Sequence, residues 1–125
     1  MRRKVRRIAV SGKHYVWWYT FCENSAEVYV SPDGNKTACA KVRFSSRGTL
    51  PDAQPAAGMF PGSLKLVRSG GSLCVRTLSP KMASLVIASL PENTLASRKT
   101  SSFDGYELLE TNGFTVYDVI NEYYW

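Results

Sequence analysis

The sequence predicts an α+β fold: an antiparallel sheet of about six strands built from hairpins, with two short helices packed on it, after residues 79 and 115. Three observations carry this reading. Apolar residues alternate with a period of two in the segments before residue 79. Short turn signals, Ser11-Gly12, Pro32-Asp33-Gly34-Asn35 and Ser69-Gly70-Gly71, punctuate those segments. Helical spacing of apolar residues begins only after Ser79 and again after Thr115.

Residues 4–10 form the first expected strand, and Ser11-Gly12 turns the chain into a second over 14–21. Tyr15, Trp17, Tyr19 and Phe21 share one face of the second strand; His14, Val16, Trp18 and Thr20 share the other. Rings on both faces predict a central strand, or one covered by another layer. A third strand fits 26–31, with Val28 and Val30 on one face. The fourth, 37–44, alternates most cleanly: Ala38, Ala40, Val42 and Phe44 against Thr37, Cys39, Lys41 and Arg43. That pattern is a half-exposed antiparallel strand.

Residues 45–62 are rich in Pro, Gly, Ala and Ser and read as a long loop. Neither flank has enough elements to stand alone, so the whole chain, 1–125, is read as one domain. A second hairpin follows, 63–68 and 72–78. Ser79-Pro80 then supplies an N-cap and a first-position proline for a helix carrying Met82, Leu85, Val86 and Leu90, which Pro91 ends. Residues 92–102 read as polar loop and Tyr106 to Glu110 as a short strand after Asp104-Gly105. Thr115 and Asp118 form a weak capping box for a last helix bearing Val116, Val119, Ile120 and Tyr123.

The chain has 125 residues, 44% apolar and 12% aromatic. That is one ordinary domain with enough apolar surface to fold without a metal or a disulfide. No stretch reaches the roughly 18 apolar residues of a membrane helix. MRRKVRR opens like a signal sequence, but Ser11, Gly12, Lys13 and His14 interrupt the apolar run that would have to follow. Cys22, Cys39 and Cys74 are odd in number and widely spaced, which fits neither a disulfide framework nor a metal site. A cytoplasmic protein with reduced thiols is expected.

The net charge of +6 is unevenly distributed. All sixteen Lys and Arg lie in residues 1–99, with five of the ten acids, for +11; the last 26 residues hold the other five acids and no base, for −5. Arg2, Arg3, Lys4, Arg6 and Arg7 are the one dense cluster.

Acid–base enzymology is disfavoured. The chain has a single histidine, His14, expected at a solvated strand edge. Cys39 shares a face with Lys41 and Arg43, a setting that lowers thiol pKa values, although an incidental buried cysteine is the commoner case. Glu107 and Glu110, placed in a strand, point to opposite faces and make no carboxylate pair. Ser69-Gly70-Gly71-Ser72 lacks the Lys-Ser/Thr of a phosphate loop. No cofactor or metal is implied.

The residues point to a small non-catalytic accessory protein of bacterial type. Its best reading is a module that binds another protein or a second copy of itself, of the size of immunity or inhibitor proteins. A second copy would pair through strand 26–31 or the first strand. The alternative is single-stranded nucleic-acid binding, with Arg2, Arg3, Lys4, Arg6 and Arg7 on phosphates and an exposed Trp18 stacking on bases. Tyr29, Tyr124 and Trp125 join these residues as candidate contacts, because aromatic and arginine side chains anchor interfaces.

Overall fold

A computed structural model of the chain describes residues 5–21, 25–34, 37–45, 62–96 and 98–118. Two mostly antiparallel sheets and two helices make up an α+β fold. The five-stranded sheet has the order β1 (Arg6–Val10), β2 (Lys13–Phe21), β3 (Ser25–Pro32), β4 (Cys39–Ser45) and β7 (Thr100–Asp104). The three-stranded sheet places β5 (Ser63–Arg68) between β6 (Gly71–Arg76) and β8 (Thr115–Asp118). The helices are α1 (Pro80–Ser89) and α2 (Gly105–Thr111).

Local chemistry sets most of these elements. Ser11 and Gly12, at φ 52° and 79°, form a two-residue turn of the mirror-image type that matches strand twist, as do Ser69 and Gly70 at 50° and 81°. The first turn fixes the β1–β2 register from Val10↔Lys13 back to Arg6↔Trp17. Ser79 caps α1 by accepting from the Met82 N–H, with Pro80 at the first turn. The expected stripe divides: Met82 and Val86 are fully buried, Leu85 and Leu90 half-buried.

The last third of the chain differs from expectation. The polar segment 92–102 contains a 3-10 turn at Thr94–Ala96 and the start of β7, which runs parallel to β4. Residues 105–111 form α2 rather than the expected strand, because the Asp104 side chain accepts from the Tyr106 N–H and starts a helix at Asp104-Gly105. Tyr106, Leu108 and Leu109 then bury one face of it. The helix expected after residue 115 is a strand: Thr115–Asp118 pair antiparallel with β5, Val116 opposite Leu66. Thr, Val and Tyr in succession favour the extended state, and an open edge of β5 is available to satisfy their backbone. Val119, Ile120 and Tyr123 of that expected helix lie outside the described residues.

One core joins both sheets through the helices. Trp17, Val28, Val30, Val42 and Phe44 of the larger sheet meet Leu64, Leu66, Val75 and Val116 of the smaller, with Met82 and Val86 of α1 and Tyr106 and Leu109 of α2 between them in one cluster. Helix α1 touches β1, β3 and β6; α2 touches β4, β7 and β8. The Asn112 amide ties the helix ends by donating to the carbonyls of Ser89 and Leu108, 3.0 and 2.8 Å away. Among the described residues, no helix is long and apolar enough to cross a membrane.

Candidate binding edge

Four of the nine candidate contacts fall in the described residues, all on the first three strands of the larger sheet. Arg2, Arg3, Lys4, Tyr124 and Trp125 lie outside them, as do Cys22 and positions 46–61 of the long loop.

Strand β1 is an edge of the sheet: among the described strands its one neighbour is β2. The two-residue turn determines which backbone groups it leaves open. Val10↔Lys13 closes the turn as a hydrogen-bonded pair, so Ile8↔Tyr15 and Arg6↔Trp17 are hydrogen-bonded pairs too. Arg7 and Ala9, in the alternate pairs, direct their N–H and C=O away from β2. Both residues are exposed.

The two described arginines of the basic cluster go to opposite faces. Arg6 turns to the core side, where its guanidinium lies 5.4 Å from the Trp17 ring centre and 5.6 Å from that of Tyr19. Cation–π attraction holds it over the edge of the aromatic row. Arg7 faces outward with its side chain 85% exposed, 3.8 Å from the Asp33 carboxylate. On the core side, Ile8 and Val10 are half-buried and pack against the core.

Trp18 is buried, 8% exposed, against the expectation of an exposed stacking ring. Strand register explains the difference. Trp18 lies opposite Tyr29, stacks on it, and shares a second apolar cluster with Val16 and Cys39 on the outer face. Strand β3 is also unavailable for pairing with a second copy, since β2 and β4 occupy both of its edges.

Beside this cluster, an open groove of about 670 Å³ is lined by Glu27, Lys41, Arg43, Ser45, Ser102 and Asp104 among others. Its charges offset one another. Glu27 accepts from Thr20 and Tyr29, each at 3.1 Å, and pairs with Lys41 at 3.2 Å. Burial alone would raise the Glu27 carboxyl; hydrogen bonds from Lys41, Tyr29 and Thr20, with the charge of Lys41, outweigh it and hold the carboxyl below its ordinary 4.5. Asp104 is engaged as the α2 cap.

The other chemistry candidates stand apart. His14 is exposed and lines a separate groove of about 640 Å³ with Glu92 and Asn93. Cys39 is buried and Cys74 exposed on a different sheet. Glu107 and Glu110 sit three apart on α2, hence on one exposed helix face rather than on opposite faces of a strand. Among the described residues, no three His, Cys, Asp or Glu side chains cluster to hold a metal.

Sequence reasoning missed the open backbone groups of Arg7 and Ala9. The signal was present: a two-residue turn at Ser11-Gly12 fixes the parity of every pair above it. No family model, curated protein or solved structure matches this chain.

Proposed function

We propose that the chain is a non-catalytic binding module that takes up an extended segment of another protein along β1. The observation that carries this reading is the pair of outward-facing backbone units at Arg7 and Ala9, on an exposed edge strand with a single described neighbour. An added strand gains main-chain hydrogen bonds from such an edge, and side-chain positions alternate to give selectivity. Arginines on the edge oppose indiscriminate pairing with other sheets and leave the edge to a complementary partner. The oligonucleotide alternative is the weaker reading, because Trp18, the ring it relied on, is buried.

The variant Ala9→Pro tests this. Proline there removes an outward N–H and no bond to β2, so the sheet should persist. Proteins retained by the immobilised wild-type chain are identified, purified and rebound to both forms. The expected result is at least tenfold weaker binding to Ala9→Pro, with an unchanged unfolding midpoint. Equal binding by a folded Ala9→Pro overturns the proposal.

A further inference from the structure

We infer that the segment β1 accepts alternates acidic and aliphatic residues, its carboxylates on the outer face beside Arg7 and its aliphatic side chains on the core face beside Ile8 and Val10. This rests on strand addition at β1 and names the chemistry of the partner.

The alternation follows from the pleat. In a strand laid beside β1, residues level with Arg7 and Ala9 point to the outer face, and those level with Arg6, Ile8 and Val10 point to the core face. On the core face, Ile8 and Val10 are only half-buried although they pack against the core. Their uncovered flank is apolar and is completed by aliphatic side chains.

On the outer face, Arg7 is the charge that an incoming side chain meets. Its contact with Asp33 is long at 3.8 Å, and both side chains are more than a third exposed. Such surface pairs contribute little and are readily exchanged for a better one. A carboxylate on the added strand can meet the guanidinium fork in the two-bond geometry that the Asp33 contact lacks. Arg6, the neighbouring cation, is held by rings and has no carboxylate partner among the described residues. It adds positive potential at the same edge.

A second copy fits this edge poorly. Antiparallel pairing of two β1 strands through their outward groups sets Arg7 of each copy opposite Ala9 of the other, and the four arginines then share one short seam with no carboxylate on either β1 to offset them. The other described edges differ. Strands β7 and β8 end in Asp104 and Asp118, and β6 carries a single Arg76.

The test uses two synthetic peptides, one alternating glutamate and valine and one alternating lysine and valine, titrated against the wild-type chain, Arg7→Glu and Ala9→Pro by calorimetry. The wild type should bind the glutamate peptide about tenfold more tightly than the lysine peptide, Arg7→Glu should reverse that order, and Ala9→Pro should bind neither. If the wild type binds both peptides equally and Ala9→Pro neither, the acidic preference is overturned while strand addition stands. If Ala9→Pro binds the glutamate peptide as the wild type does, strand addition itself is overturned. Binding of neither peptide by the wild type, or its reversible dimerisation in sedimentation abolished by Ala9→Pro, also overturns the inference.

Discussion

The indole of Trp18 lies flat against the ring of Tyr29, centres 5.4 Å apart and planes 3° from parallel. The two residues are cross-strand partners on the outer face of β2 and β3. The Tyr29 hydroxyl in turn donates to Glu27. This stack anchors the outer cluster beside the β1 edge. Trp18→Ala should cost about 3–5 kcal/mol in urea unfolding. A double-mutant cycle with Tyr29→Ala should give a coupling of about 0.5–1.5 kcal/mol. Among the described residues the indole N–H has no acceptor, so Trp18→Phe forfeits area but no hydrogen bond there. It should cost well under half as much as Trp18→Ala, and equal costs would contradict this.

Glu27 makes stability depend on acid. Its carboxyl titrates lower in the folded state than in the unfolded chain, so its contribution is complete above the unfolded value and is lost as the pH falls through the folded one. Glu27→Gln should lower stability by about 1 kcal/mol at neutral pH, a modest figure because Lys41 is partly exposed. Thermal unfolding of the two forms should converge as the pH drops below 4.5. A gap that persists in strong acid would place the effect in packing rather than in the charge.

Gly105 is required by a close approach. A Cβ there would run into the Phe44 ring, and Phe44 is fully buried. Gly105→Ala should cost about 2–3 kcal/mol by overpacking. Phe44→Leu in the same chain should recover part of that loss, which chemical denaturation of the single and double variants measures.

Ser11 and Ser69 hold left-handed conformations that asparagine adopts more readily. Ser11→Asn and Ser69→Asn should each raise stability by about 0.5 kcal/mol, additively, since they lie in separate hairpins. A loss at either site would mean that the serine hydroxyl contributes to its turn.

Elements whose ends are set by local chemistry were legible in the sequence. The Ser11-Gly12 and Ser69-Gly70 turns, the alternation of β4 and the Ser79-Pro80 start of α1 all stand where the residues put them. Asp104-Gly105 was ambiguous, because the same pair can open a turn or cap a helix. What decided it was Tyr106, Leu108 and Leu109 finding a core to enter. Residues 115–118 carried apolar side chains compatible with either periodicity, and the open edge of β5 made them a strand. The burial of Trp18 depends on Tyr29 and Cys39 arriving from β3 and β4, which alternation within β2 does not encode. The candidate edge was half legible: the basic cluster was evident, whereas the outward backbone groups required the register.

Amide hydrogen exchange at Ile8 and Ala9 tests strand addition most directly. In the free protein the Ile8 N–H, bonded across to Tyr15, should be protected, and the N–H groups of Arg7 and Ala9 should exchange freely. With a bound partner or the glutamate–valine peptide, Arg7 and Ala9 should become protected by at least about tenfold while Ile8 stays protected. Ligand binding that leaves Arg7 and Ala9 exchanging as fast as in the free chain would contradict recognition at this edge.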